Sequence, residues 1–286
     1  MPSRPVVALI VLFWVATLGL VFQRDLWPRI TASGPPPIAV DLTDEATQYL
    51  PIKWKVLRGG KPIGTLTTKL AYQDADDTFE FTSQYKDLRF DVGAMQVVFP
   101  DVTTRTRVTR SGSLREQSMT GKLRLGDLQA EAKVEGRNEN GMFLGRCEIA
   151  SPLFNLKSDL APVPVKDGQA LNPLQPVNRI AGIRPGQHWY VHEIDPLGQA
   201  LAALFKEKFG QGLSLPESKK EALEARVADA PESLVWGKSR EEAACWVIDY
   251  RSGEARAKTW VRVSDGKVLR QEATLLDDRI SLEREE

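Results

Sequence analysis

The pattern of apolar and polar positions from Ile52 onward is a series of short alternating runs separated by turn residues. The run Ile52–Leu57 alternates, meets Gly59-Gly60, and resumes as Ile63–Tyr72. Paired glycines accept the positive φ of a tight primed turn, so these two runs predict a β-hairpin. The other runs that predict strands are Thr78–Tyr85, Val102–Thr109, Leu114–Leu123, Leu128–Val134, Met142–Ile149, His188–Ile194, Ala222–Val227, Cys245–Tyr250, Ala255–Val263, Lys267–Thr274 and Arg279–Glu283.

Turn residues between several of these runs predict further hairpins. Ser111-Gly112-Ser113 separates one pair of runs, and Asn138-Glu139-Asn140-Gly141 separates another. Asp265-Gly266 stands between two of the last runs and predicts a type I′ turn. A proline-rich stretch from Pro152 to Pro185 interrupts the pattern. It predicts either a connection that crosses the sheet or a boundary between two β halves, 51–150 and 187–286.

A single amphipathic helix is predicted between the two β-rich stretches. Asp195 is a suitable N-cap, Pro196 suits the first helical position, and Gly210 suits the position after the last turn. The side chains that share one face are Leu197, Leu201, Leu204 and Phe205. We expect the helix Pro196–Phe209 to pack on the sheet, with a lid over a ligand cavity as the alternative.

The N-terminal part predicts a membrane anchor. Val6–Phe22 is a run of 17 residues without a charge, and every helical face of it is apolar. As a helix it spans about 25 Å, close to the hydrocarbon thickness of a bilayer. No small-x-small cleavage site follows directly, where Phe22, Gln23 and Arg24 stand. We therefore expect an uncleaved signal anchor with a single transmembrane helix.

Three segments follow from these patterns: residues 1–29 as the anchor, 30–50 as a proline-rich linker, and 51–286 as an extracytoplasmic β-rich domain. One arginine before the span and two after it do not decide the orientation. The very short N-terminal tail is the usual arrangement of a signal anchor, so the C-terminal domain is expected outside the cytoplasm.

The net charge argues against a nucleic-acid partner, and the sequence motifs indicate no cofactor. The chain has 38 Lys plus Arg and 38 Asp plus Glu, so its formal net charge is zero. No long-range field draws it toward nucleic acid, and we expect no nucleic-acid partner. There is no GxSxG elbow, phosphate loop or GxGxxG, so no cofactor is predicted.

The two cysteines, Cys147 and Cys245, form no CxxC pair and lie far apart in the sequence. A disulfide and two buried free thiols are both open. Cys147, His188 and Asp195 stand in the chain order of a transglutaminase-like or papain-like triad. Cys147, however, sits in the strand-like run MFLGRCEI, whereas a reactive thiolate favours a helix N-terminus or a neighbouring cation.

The remaining candidate site residues also favour structural roles. His188 and His192 lie four apart on a predicted strand, which separates their side chains by about 13 Å and does not suit one metal ion. The carboxylate pairs Asp74/Asp76 and Asp277/Asp278 fall beside predicted turns, where solvated acids are common. The sequence therefore predicts no catalytic, cofactor-binding or metal-binding residue.

Two segments carry a resemblance to a known group of proteins. These are the opening IKWKVLRGGKPIG and the closing CWVIDYRSGEARAKTWVRVSDGKVLRQEATLLDDRISLERE. Together they resemble uncharacterised extracytoplasmic domains of bacterial envelope proteins, related in architecture to the open β-barrels of lipoprotein carriers. Similar segments precede the catalytic domain of some transglutaminase-like proteins. The resemblance implies an antiparallel open half-barrel, or strongly curved sheets, with one packing helix and a place in the inner membrane and periplasm.

The leading functional hypothesis is a non-catalytic envelope module that binds a lipid, another hydrophobic ligand or a protein partner. The anchor, the linker and the strand pattern motivate it. One alternative is a cysteine-dependent hydrolase or transglutaminase-like enzyme. Another is a purely structural subunit of an envelope complex.

Overall fold

The computed structural model describes the β-rich part of the chain. The described residues are 17, 50–92, 95–109, 113–165, 177–180, 182–191, 197, 223–237, 239–252, 255–275 and 278–285. The predicted anchor and linker therefore lie outside the described residues, apart from Thr17 in the anchor and residue 50 at the end of the linker. Within the described part, no helix is both long and apolar enough to cross a membrane.

The described residues form sixteen strands that belong to a single sheet. The strands are β1 Ile52–Arg58, β2 Lys61–Gln73, β3 Thr78–Val92, β4 Met95–Thr109, β5 Leu114–Leu125, β6 Leu128–Glu139, β7 Met142–Ala150, β8 Asn155–Asp159, β9 Val163–Pro164, β10 His188–Val191, β11 Leu223–Val227, β12 Glu232–Trp236, β13 Glu241–Ser252, β14 Ala255–Arg262, β15 Val268–Leu275 and β16 Asp278–Arg284. The prediction of a mainly β, antiparallel fold is confirmed.

Strand β1 joins two series of hairpins into this sheet. The order is β10-β11-β13-β14-β15-β16-β1-β2-β3-β4-β5-β6-β7-β8, with β12 paired to β13 and β9 to β7. On one side β1 pairs with β2, and on the other it pairs with β16, where Trp54 stands opposite Arg284. Within the described residues β10 and β8 do not pair with each other, so the sheet is not closed into a barrel.

Side-chain alternation places two of the three core clusters on the same face of the sheet. On β2, Leu66 belongs to one cluster and Leu70 packs on the other, four residues along the strand and hence on one side. We call this side the inner face. The first cluster comprises Phe79, Phe81, Val108, Leu114, Val134, Phe143, Cys147, Leu160, Val165 and Leu197. The second comprises Trp54, Val56, Leu66, Trp189, Ala225, Val227, Ile248, Tyr250, Ala257, Val261 and Val268.

A third, smaller cluster lies on the outer face of β13–β15. Val247 belongs to it, whereas the next residue, Ile248, belongs to the second cluster, so β13 is apolar on both sides. The short strand β12 covers this patch and contributes Leu234. The other buried members are Cys245, Trp260 and Leu269. The sequence prediction omitted β12, because five residues without clear alternation give a weak strand signal.

A pair of glycines makes room for the aromatic centre of the first cluster. Gly136 of β6 stands opposite Gly145 of β7. A Cβ on Gly136 would lie 2.3 Å from the Phe143 ring, so the fully buried ring occupies the space of the missing side chain. Packing an aromatic ring over a strand glycine compensates for the poor strand propensity of that glycine.

Of the four predicted turns, two form as expected and one does not, while Ser111 and Gly112 of the fourth lie outside the described residues. Gly59 and Gly60 both have positive φ, as do Asn140 and Gly141, which is the requirement of a type I′ turn. Between β14 and β15 the connection is longer, and Gly266 is its positive-φ residue. The two-residue type I′ turn predicted at Asp265-Gly266 is therefore wrong.

The region between the two β-rich stretches is only partly described. The proline-rich stretch contains β8 and β9, which both pair with β7, so its first part extends the sheet. Of the predicted helix Pro196–Phe209, the structure describes Leu197, which is helical and buried in the first cluster. The rest of that helix and His192 lie outside the described residues.

We expect Phe143 to contribute strongly to stability, because its side chain is fully buried. Phe143→Ala should lower the free energy of unfolding by about 3–5 kcal/mol. The matched control is Leu144→Ala on the next residue, which is 39% exposed and should change stability by less than about 0.5 kcal/mol. Urea unfolding of both variants measures the difference, and equal losses would contradict the packing described for β7.

Candidate functional site

The cysteine that sequence order placed in a catalytic triad is a core residue. Cys147 lies on β7 with its side chain fully buried in the first cluster, opposite Val134 and Ser158. Burial raises the pKa of the Cys147 thiol, and the nearby Glu148 carboxylate raises it further. A protonated thiol inside a core is a poor nucleophile, because the thiolate is the reactive form.

The second cysteine lies on the opposite face of the sheet. Cys245 is fully buried in the third cluster, and both cysteines are free thiols. Burial raises the pKa of Cys245 to about 11, although the Arg262 guanidinium opposes the shift. The sequence left open a disulfide or two buried free thiols, and the prediction of buried thiols is confirmed. A disulfide between Cys147 and Cys245 does not form, because the two side chains lie on opposite faces of the sheet.

The partner residues of the triad pattern do not meet Cys147. His188 is exposed on β10, whereas the next residue, Trp189, is buried in the second cluster. His188 therefore points to the outer face and Cys147 to the inner face. Asp195 lies outside the described residues. The structure does not bring the described members of this triad pattern together.

The first acidic pair, Asp74 and Asp76, lies in a turn, and one of its members forms an ion pair. Asp76 forms a salt bridge with Arg107 and accepts a hydrogen bond of 2.7 Å from the Thr78 hydroxyl. Asp278 begins β16, and Asp277 lies outside the described residues. Within the described part of the chain, no three His, Cys, Asp or Glu residues form a group that could hold a metal ion.

An open, charged cavity lies on the outer face of β3–β8, and we call it the charged cleft. It has a volume of about 600 Å³. Its position follows from alternation on β7, where Phe143 and Cys147 point inward and Leu144 and Arg146 point outward. The lining residues are Glu80, Arg105, Arg107, Glu116, Gln117, Ser118, Glu135, Gly136, Arg137, Leu144, Gly145, Arg146 and Asp159.

Ion pairs across neighbouring strands hold the side chains of the charged cleft. Arg107 donates to Glu116 at 3.0 Å, and Arg146 donates to Asp159 at 3.2 Å. A second open cavity of about 440 Å³ continues along the same face, where Lys122–Glu131 and Lys157–Glu148 pairs form similar ladders. These pairs are solvent-exposed, so each contributes roughly 0–1 kcal/mol to stability. Their common effect is a polar face with alternating charge.

Comparisons with known proteins identify no family for this chain. No family model matches it, and no curated protein matches it. A solved structure, described as a β-barrel-like protein of domain of unknown function DUF1849 from Brucella abortus, is similar at 11% identity and a TM-score of 0.35. The match covers 82% of this chain and 94% of that chain. At that TM-score the likeness carries no conclusion about this chain.

The burial of both thiols gives a direct chemical prediction. In the folded protein, neither Cys147 nor Cys245 should react with an alkylating reagent near neutral pH without reductant, because both are buried and their pKa values are raised. In urea, still without reductant, mass spectrometry should show two labels per chain. Rapid labelling of one thiol in the native state would contradict the structural role and restore the enzyme hypothesis.

Proposed function

We propose that the protein is a membrane-anchored, non-catalytic domain outside the cytoplasm that binds a protein partner through the charged cleft. The observation that carries the proposal is the cleft itself, an open site of about 600 Å³ on the outer face of β3–β8. Residues 6–22 provide the anchor and residues 30–50 the spacer that lifts the domain from the bilayer.

The lining of the charged cleft suits a polar protein segment. Four arginines and four carboxylates line it, namely Arg105, Arg107, Arg137 and Arg146 with Glu80, Glu116, Glu135 and Asp159. Their formal charges cancel, so the complementary surface carries both signs rather than one. Leu144 is 39% exposed among these charges and offers an apolar contact for the partner. Charged interfaces of this kind select the partner and set its orientation.

A hydrophobic ligand inside the sheet has less support. In the described residues, the first and second clusters occupy the inner face, with Phe143 filling the space over Gly136. A site for an apolar ligand needs a concave apolar pocket. The charged cleft is instead lined mainly by ionised side chains. The outer face is therefore favoured over the inner face as the binding surface.

The charge of the charged cleft also favours a reversible partner over a permanent structural contact. Obligate interfaces resemble a domain core and bury mainly apolar surface. The side chains of Arg146 and Asp159 are 62% and 82% exposed. Because such charges are screened by salt, binding at the charged cleft should weaken as the salt concentration rises.

Site-specific photo-crosslinking of the full chain in envelope membranes tests this proposal. A photoreactive residue in place of Leu144 should give one defined protein adduct, because that side chain is exposed in the charged cleft. The matched position is Lys55, which is exposed on β1 and lies outside the charged cleft. It should not give that adduct.

Charge reversal provides the second arm of the same experiment. Arg105→Glu with Arg146→Glu should abolish the adduct at position 144, because both residues are exposed in the charged cleft. The matched control, Lys55→Glu with Lys69→Glu, changes the net charge equally at exposed positions outside the charged cleft and should preserve the adduct. No adduct at position 144, or one that survives the arginine reversals, would overturn the proposal.

A further inference from the structure

A second open site lies at the end of the sheet where β1 begins and β16 ends. We call it the basal pocket, a cavity of about 420 Å³ lined by Leu50, Pro51, Ile52, Lys53, Leu70, Asn178, Arg179, Lys267, Arg284 and Glu285. It contains Leu50, the last residue of the predicted linker, and Pro51, the first residue of the predicted domain. The basal pocket is therefore the described site closest in sequence to the predicted anchor.

Positive charge dominates the basal pocket. Its lining carries the four cations Lys53, Arg179, Lys267 and Arg284 against the single carboxylate Glu285. Asp265 lies nearby and pairs with Lys267 at 3.4 Å, but it also accepts hydrogen bonds of 2.8 and 2.6 Å from Arg262. That carboxylate is therefore shared between two cations, and an excess of positive charge is left at the pocket.

Two buried polar atoms of the pocket lack a hydrogen-bond partner among the described residues. They are the Nε of Arg179 and the Oδ1 of Asn178. The first is a donor that requires an acceptor, and the second is an acceptor that requires a donor. Buried polar groups are almost always hydrogen-bonded, so two adjacent exceptions call for an explanation. An anion beside the Arg179 guanidinium would compensate the charge of this partly buried side chain.

The segment that carries these atoms is fixed in place by hydrogen bonds to its backbone. The Asn178 carbonyl accepts from the Val268 amide at 2.9 Å and from Arg284 Nη1 at 3.2 Å. The Ile180 amide donates to the Gly266 carbonyl at 2.9 Å. Because residues 177–180 are held against β15 and β16, the cationic groups converge without a further folding step. Such pre-organisation reduces the entropic cost of binding.

One side of the basal pocket is apolar. Leu50 is 76% exposed, and Ile52 and Leu70 are partly buried beside it. A phospholipid presents the same combination, with a phosphodiester and its headgroup donors next to acyl chains.

We infer that the basal pocket binds a phosphate group, with Arg179 and Lys267 supplying the positive charge and hydrogen bonds. Two sources of this chemistry are available, the headgroup of a membrane phospholipid and free phosphate. The assignment of a phospholipid rests on the anchor in the proposed function, whereas the phosphate site itself does not.

Thermal unfolding of the full chain in a non-ionic detergent tests the inference. The probes are inorganic phosphate and a short-chain phosphatidylglycerol, each titrated at constant ionic strength. A ligand that binds the folded state raises Tm as its concentration increases. We expect a rise with both probes. A rise with phosphatidylglycerol alone assigns the site to the lipid headgroup, and a rise with phosphate alone assigns it to free phosphate.

Variants of the lining residues test whether an increase in Tm results from binding in the basal pocket. Arg179→Gln with Lys267→Gln should weaken binding by about tenfold or more, since charge-assisted hydrogen bonds are lost. The matched controls Lys53→Gln and Lys55→Gln, whose side chains lie on the outer face of β1, should not change it. A general stabilisation by phosphate salts would persist in the double variant.

The result that overturns the inference is no rise in Tm with either probe, or a rise that the Arg179→Gln, Lys267→Gln double variant retains. Failure here is separable from failure of the proposed partner site. The basal variants should leave crosslinking at position 144 unchanged, because none of them lines the charged cleft. If the chain proves not to be membrane-anchored and phosphate still raises Tm, the pocket remains and its source is free phosphate.

Discussion

The structure depends on the pairing of β1 with β16. These strands come from the two ends of the described sequence, with Trp54 opposite Arg284, and β1 also pairs with β2. The fully buried Trp54 side chain donates a hydrogen bond of 3.0 Å to Thr68, and the Arg284 guanidinium lies over its ring. This strand pairing joins the hairpins of β2–β9 to those of β10–β16 in one sheet. The basal pocket lies at the start of the same strand.

Side-chain alternation along the strands places apolar side chains on one face of the sheet and charged side chains on the other. The inner face carries the first and second core clusters, so the outer face of β3–β8 is left to charged side chains. Because a strand turns successive side chains to opposite sides, the buried Phe143 and the exposed Leu144 both follow from one register. The core and the charged cleft are two results of the same strand pairing, and a change of register would destroy both.

The sequence predicted what depends on local chemistry and missed what depends on long-range pairing. The turns at Gly59-Gly60 and Asn140-Gly141 could be predicted because positive φ is a local requirement. The type I′ turn at Asp265-Gly266 does not form because β14 ends at Arg262 and β15 begins only at Val268, which leaves a longer connection. In that connection Asp265 accepts a hydrogen bond from Arg262. The charged cleft and the basal pocket were missed for one reason. Alternation marks outward residues but does not say which strands are neighbours, and the basal pocket collects its cations from four separate segments.

The pairing of β1 with β16 makes the two series of strands one cooperative unit. Hydrogen exchange of the full chain as a function of urea concentration, followed peptide by peptide, tests it most directly. We expect one urea midpoint for the amides of β3–β7 and β13–β15, with the amides of β1 protected up to that midpoint. Two separate midpoints, with β1 exchanging before either series unfolds, would contradict it.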